Sequence, residues 1–355
     1  MQKKEGKKGK KGKKPPYGIN DPDIERKIDE LLNDWGVNAD FNRFREMMVT
    51  ILKFAQDQPP PADVRQFNIA LKEMRYANKV FQNYHGIHTV SVFGSARTKP
   101  SELIYQMAEK FGRILKNSGC MIITGGGGGI MEAAQAGAGR ERSFALNIVL
   151  PFEQDANPTI AGDPKLITFK YFFTRKLHFL KNSHAAAYFP GGFGTMDECF
   201  EALTLIQTGK APIMPIVMVD QPGGDYWSKF DEFLRERLLH YGLISPADFN
   251  LFKITSNLDE AHDEILNFYK NFHSYRYVRD VCVIRMHRAI PEDVLQQMNK
   301  DFTDIVADDL GFEMNHPLPQ EINEPEIAHL PRLCFRFNMH GFGRLRQVIN
   351  RVNEF

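Results

Sequence analysis

The stretch Ala185–Glu198, AAAYFPGGFGTMDE, reads as a strand, a glycine turn and a helix start in immediate succession. Ala185 to Phe189 form a short apolar run that Pro190 stops. Gly191, Gly192 and Gly194 allow a tight turn, Thr195 stands where a helix is expected to open, and Asp197 and Glu198 fall in its first turn. Such a turn aims a helix N-terminus and several bare N–H groups at one spot, which suits phosphate. The carboxylate is the unusual element: a plain phosphate cradle does not need one, whereas chemistry on a phosphorylated sugar can use one. The spacing Thr195-x-x-Glu198 is also that of a capping box, which would employ both residues structurally.

The same alternation extends outward from this stretch. His88–Ala96 (HTVSVFGSA), CMIIT, FALNIVLP, LITFKYFF, IMPIVMV (Ile213–Val219) and FKIT (Phe252–Thr255) read as six further strands. Helical patterns stand between them, notably after Ser101, from Tyr226 to His240 and from Leu258 to Tyr269. Strands alternating with helices predict an α/β fold with a doubly wound, Rossmann-like parallel sheet. Ligands are then expected beyond the C-terminal ends of the strands. Before this region, three amphipathic helices are expected. One carries Ile24, Ile28, Leu31, Leu32 and Trp35, and another Phe41, Phe44, Met48, Ile51, Leu52 and Ala55. The third carries Val64, Phe67, Leu71 and Met74. After it, VRDVCVIRMH, Pro291–Val306, LPRLCFRFN and Gly341–Val352 read as strand, helix, strand and helix, a small α/β module. The expected divisions are a lysine-rich tail at 1–20, a helical region at 21–84, the Rossmann-like domain at 85–272 and the module at 273–355.

Composition bounds the function. With 355 residues, 43% of them apolar, the chain can bury a full core. No window approaches the roughly 18–20 apolar residues that span a bilayer. Cys120, Cys199, Cys282 and Cys334 are scattered without metal spacing, as reduced thiols in a cytoplasmic protein would be. The net charge of +1 hides an asymmetry, because eight lysines lie within residues 1–14. That run has nothing apolar to bury. It reads as a solubilising tail, a polyanion- or nucleic-acid-binding arm, or a sorting signal.

Two more elements point to the same edge of the sheet. The run Gly125–Gly129 follows the second strand. It is not a dinucleotide fingerprint, since Ile130, Met131 or Glu132 would occupy the third glycine position, and no Walker Gly-Lys-Ser/Thr follows. It remains a loop of bare amides, with Gly126, Gly127, Gly128 and Gly129 as candidate ligand contacts. Gly94 and Ser95 end the first strand on that edge, with Arg97 close by. Arg175 and Lys176 start the helix after the fourth strand. Arg clamps phosphate bidentately and Lys acts as a point charge, although a solvated basic helix start has the same sequence. No histidine pattern, nucleophile elbow or pyridoxal Schiff-base lysine is recognisable.

Taken together, PGGFGTMDE (Pro190–Glu198), Arg175-Lys176 and TGGGGGIMEAA resemble the LOG family of phosphoribohydrolases, proteins long labelled lysine decarboxylases, whose signature is PGGxGTxxE. The resemblance covers about His88 to Tyr269. The added N-terminal helices and C-terminal module are more similar to long bacterial nucleotide 5′-monophosphate nucleosidases than to the small plant-type members. The resemblance implies hydrolysis of the N-glycosidic bond of a nucleoside 5′-monophosphate to free base and ribose 5-phosphate, with no metal or redox cofactor. Glu198 and Arg175 would be the catalytic pair. Gly191, Gly192, Phe193, Gly194, Thr195, Lys176, Gly94, Ser95 and Gly126–Gly129 would bind the phosphate and substrate. It also implies a homodimer or higher homo-oligomer, room for a regulatory nucleotide and no membrane. Because some relatives resemble molybdenum-cofactor carriers, a non-catalytic nucleotide or cofactor carrier is the alternative.

Overall fold

The computed structural model describes residues 17–151, 155–321 and 323–355. The lysine-rich segment 1–14 lies outside them. The described residues form two compact units that divide between Leu71 and Lys72.

In the first unit, α1 (Pro22–Asp34) and α2 (Phe41–Gln56) pair, and α3 (Pro61–Phe81) begins. The Asp21 carboxylate accepts from the amides of Asp23 and Ile24 and so caps α1. Arg45 of α2 meets Glu25 and Asp29 of α1 at 3.1 and 2.9 Å. Ile28, Leu32 and Val49 are buried together. The expected stripes are broader than what is buried: Leu31, Trp35, Phe44, Ile51, Val64 and Phe67 are exposed. The α1–α2 pair buries Ile28 and Leu32 of the first stripe but, in α2, Val49, which lies outside the expected stripe.

The second unit carries seven parallel strands: β1 (Thr89–Phe93), β2 (Met121–Thr124), β3 (Ser143–Ile148), β4 (Leu166–Phe169), β5 (Ala185–Tyr188), β6 (Ile216–Val219) and β7 (Lys253–Thr255). Each falls inside a run read as a strand from the sequence, except that β3 starts one residue earlier, at Ser143. Their order is β4-β3-β2-β1-β5-β6-β7, so the direction of winding reverses between β1 and β5. The intervening helices are α4 (Leu103–Asn117), α5 (Ile130–Ala138), α6 (Phe172–Lys181), α7 (Phe193–Gln207), α8 (Tyr226–Phe233) and α9 (Leu258–Asn267). Both faces of the sheet are covered. Ala185 and Ala187 pack in the cluster that holds α4, α5 and α9, whereas Ala186 and Tyr188 pack in the cluster that holds α7 and α8. Strands buried on both sides explain the continuous apolar runs of the sequence.

The C-terminal segment departs from the expected strand–helix–strand–helix order. VRDVCVIRMH is not one strand: β8 (Phe272–Val278) and β9 (Val281–Met286) form a hairpin, turning at Arg279, whose φ is +57°. α10 (Glu292–Asp301), β10 (Glu313–Asn315), β11 (Arg332–Arg336) and α11 (Phe342–Val352) follow. The four strands make an antiparallel sheet in the order β10-β11-β9-β8. Its inner residues, among them Cys282, Ile284, Leu333 and Phe335, share one apolar core with α7, α8 and α11. All four cysteines are buried and unpaired. Among the described residues no helix is long and apolar enough to cross a membrane.

Two glycines let the backbones of α4 and α5 touch. A Cβ at Gly112 would lie 2.1 Å from the Ala134 carbonyl oxygen, and one at Gly137 would lie 1.9 Å from that of Glu109. Neither obstacle is a side chain that can rotate away. Gly137→Ala is therefore expected to cost roughly 2 kcal/mol or more through overpacking, read as a drop of several degrees in Tm. An unchanged melting curve would refute this close packing.

Candidate active site

The switch point of the winding is where the carboxyl ends of β1 and β5 diverge, and ligands of open α/β sheets bind in that crevice. A cavity of about 800 Å³ occupies it, lined by Gly94, Ser95 and Arg97 after β1, by Gly191–Glu198 after β5, and by Arg175 and Tyr226.

The PGG turn is locked from both sides. The Ser95 amide donates to the Pro190 carbonyl at 3.0 Å. The Tyr226 hydroxyl, from the start of α8, donates to the Gly191 carbonyl at 2.6 Å. Residue 191 has room for no side chain, since a Cβ there would lie 2.2 Å from Thr195 Oγ1 and 3.0 Å from the Ser95 nitrogen.

Beyond this lock, α7 begins earlier than expected. Its N-cap is Gly192 and its first helical residue is Phe193, so Thr195 is the third residue and Glu198 lies in the second turn. No side chain caps this helix, and the capping-box reading of Thr195 and Glu198 is not realised. Helical Phe193 and Gly194 bring the chain into α7 before Thr195. The amides of this first turn, at the exposed residues Gly192, Phe193 and Gly194, thus remain an anion-binding end.

Glu198 faces the cavity yet is only 8% exposed. Among the described residues its carboxylate has no hydrogen bond and no ion pair within 4 Å. Only its backbone carbonyl is engaged, accepting from the Tyr188 hydroxyl at 3.1 Å. Burial pushes its pKa from 4.5 to about 7; Lys176 and Arg175 pull it down, and Glu201 and Asp197 push it up. Arg175 is held differently. Its Nε donates to the Leu146 carbonyl on β3 at 2.7 Å, and the guanidinium lies 5.0 Å above the Phe179 ring. Gly125 lies against it: a Cβ there would come 2.7 Å from Arg175 Nη2. Burial lowers the Arg175 pKa and Glu198 raises it; a guanidinium stays charged regardless.

The structure brings together Gly94, Ser95, Arg175, Gly191–Thr195 and Glu198. It does not bring Gly126–Gly129 to the cavity lining, where only Gly125 of that run stands. The others serve packing. The carbonyls of Gly126 and Gly127 accept from the buried Asn157 amide group at 3.2 and 3.0 Å. At Gly129, with φ +63°, a Cβ would lie 2.2 Å from the Ser95 carbonyl oxygen. The glycine loop thus fits under the β1 turn, where the Ile130 amide donates to that same oxygen. Nor does Lys176 line the cavity; it pairs with Asp197 at 2.7 Å and Glu201 at 3.1 Å. Tyr226 was not singled out from the sequence. Its signal was position: it opens the helix after β6, at the ligand-facing edge.

Residues 128–265 match the family model described as "Possible lysine decarboxylase". Over 186 residues the chain is 29% identical to a Mycobacterium tuberculosis protein named cytokinin riboside 5′-monophosphate phosphoribohydrolase; the match spans 50% of this chain and 92% of that protein. The matched residues 128–265 include Arg175, the segment PGGFGTMDE and Tyr226. Solved structures similar to it include a molybdenum cofactor binding protein from Rippkaea orientalis (17% identity, 50% of this chain and 93% of that one, TM-score 0.34). The molybdenum cofactor carrier protein of Chlamydomonas reinhardtii is another (18%, 50% and 94%, TM-score 0.35). Likenesses this distant carry no functional weight. Within the matched residues, PGGFGTMDE forms the turn and helix start that bound the cavity.

The Glu198 environment has a measurable consequence. A carboxyl that ionises near 4.5 in the unfolded chain and near 7 in the folded one binds more protons when folded. Stability then falls as pH rises from 4.5 to 7 and levels off above that. Glu198→Gln, which never ionises, is expected to raise stability at pH 8 by up to about 3 kcal/mol. The gain should vanish near pH 4. Equal melting temperatures of variant and wild type at both pH values would refute the elevated ionisation.

Proposed function

We propose that the chain hydrolyses the N-glycosidic bond of nucleoside 5′-monophosphates, giving free base and ribose 5-phosphate. The observation that carries this reading is Glu198, a buried carboxylate without a contacting partner, three residues beyond Thr195 in a helix whose amide end faces the same cavity. Burying such a group is costly, and a site that needs it is the usual reason for retaining it.

In this reading the 5′-phosphate sits on the first-turn amides of α7, where the helix dipole favours negative charge. The ribose then lies over Glu198. As the C1′–N bond lengthens, its electron pair goes to the base and positive charge grows on the sugar ring, which the carboxylate stabilises. Water attacks C1′ and gives its proton to Glu198. That proton is available to the departing base nitrogen, so the carboxylate is regenerated. Arg175, fixed through its Nε, offers its remaining N–H groups to the phosphate or the leaving base. Phosphate binding far from the broken bond aligns the sugar for reaction. The phosphoribohydrolase name of the mycobacterial relative supports the same chemistry.

Release of base from a panel of AMP, GMP, CMP and UMP tests the reading. The rate is expected to rise with pH through about 7 as Glu198 ionises. Glu198→Ala should abolish release while nucleotide binding persists. Binding without release from any nucleotide by the wild type would overturn the proposal in favour of a carrier, and undiminished turnover in Glu198→Ala would remove the mechanism.

We further propose that copies of this chain associate at the cavity mouth. Phe193, 96% exposed, and Phe172, 53% exposed, both border it. Phe193→Asp is expected to shift the sedimenting species towards monomer; an unchanged distribution would eliminate this surface.

A further inference from the structure

Lys176 follows the cavity-lining Arg175 in sequence but does a different task. Its side chain is 15% exposed and its Nζ lies 2.7 Å from Asp197 Oδ2 and 3.1 Å from Glu201 Oε2. Asp197 and Glu201 stand one helical turn apart on α7, and Glu198 lies between them in sequence. One short segment of helix therefore carries three carboxylates. Asp197 and Glu201 both push the Glu198 pKa up.

The groups facing Glu198 come from three elements. From α6 come Arg175 and Lys176. Its own helix contributes Asp197, Glu201 and the Cys199 thiol, which burial pushes up to about 12 and so keeps neutral. From β5 comes the Tyr188 hydroxyl, raised by burial and neutral as well. Arg175 lowers the Glu198 pKa from a distance, with its Nε on the Leu146 carbonyl and its guanidinium over the Phe179 ring. Lys176 is the cation placed against the two flanking acids. Burial disfavours its charge, but Asp197 and Glu201 outweigh this and raise its pKa.

We propose that Lys176 is a positioning residue. By pairing with Asp197 and Glu201 it neutralises the acids that flank Glu198 and lets Glu198 work as a carboxylate, and it does not bind the substrate phosphate. This rests on the reading of Glu198 as the working carboxylate, so the experiment includes a readout that needs no turnover.

The full-length chain is compared with Lys176→Met, which keeps the length and loses the charge, and with Lys176→Arg, which keeps the charge. Three quantities are read: the Glu198 carboxyl titration by ¹³C NMR, assigned by its loss in Glu198→Gln; the pH profile of base release from AMP; and the affinity for ribose 5-phosphate at pH 9. The Met variant is expected to raise the Glu198 midpoint and the acidic limb together by about one pH unit, a ~10-fold loss of rate below the limb. Ribose 5-phosphate affinity should stay within about two-fold, and Lys176→Arg should restore the midpoint. Should the Met variant fail to fold, Lys176→Gln takes its place in the same measurements. An unmoved midpoint overturns the proposal, and so does a loss of ribose 5-phosphate affinity of ten-fold or more at pH 9. If the wild type releases no base, the functional reading falls, while the NMR midpoint still decides the role of Lys176.

Discussion

A carboxylate taken out of water without a partner in contact costs roughly several kcal/mol, and the architecture around Glu198 holds one in place. The side chain lines the cavity and is only 8% exposed. The compensation arrives at a distance, from Arg175 and Lys176 on α6. The start of its helix, at Gly192 and Phe193, stays uncapped by any side chain. Replacing the carboxylate by a neutral group, or capping the helix end, would give a stabler helix. Keeping both as they are makes a cavity in which an uncapped helix start and a buried carboxylate lie a few residues apart.

The parallel sheet makes that arrangement possible. Because the winding reverses between β1 and β5, the turns that leave these strands part and open a crevice, and neighbouring loops can be braced across it. The Ser95 amide braces the PGG turn from the β1 side, and Tyr226 braces it from the β6 side. The five-glycine run contributes from one layer below. Its bare backbone packs under Ser95 and leaves space against Gly125 for Arg175. Two adjacent cations then divide the work, one turned to the cavity and one to the flanking acids. Rigid elements of this kind fix a constellation better than free loops do.

How much was legible beforehand differs by element. All seven parallel strands were readable because strands buried on both faces become unbroken apolar runs. The β8–β9 hairpin was not. FHSYRYV mixes polar and aromatic residues on a half-covered sheet, and no glycine or proline marks its turn at Arg279. β10 has only three residues, too few for any periodicity. In the first unit the helices were readable but their buried sides were not, since Leu31 and Trp35 continue the stripe that Ile28 begins and still stay exposed.

The site divides along the same line. Strand endings, glycine turns and a carboxylate at a fixed spacing are local matters, so Gly191–Thr195 and Glu198 could be named from residue order. So could Arg175, because helix starts after parallel strands all face one edge. Which of two adjacent cations reaches the cavity depends on how α6 rotates against α7, and residue order does not encode that rotation. Whether Thr195 and Glu198 cap their helix depended on where the chain turns helical, and packing of the PGG turn against Ser95 and Tyr226 settled it. The role of Gly126–Gly129 likewise emerged only when the loop met Ser95. Chemistry that resides in a single segment can be read along the chain, whereas charge balance and access arise between segments and exist only once they are folded together.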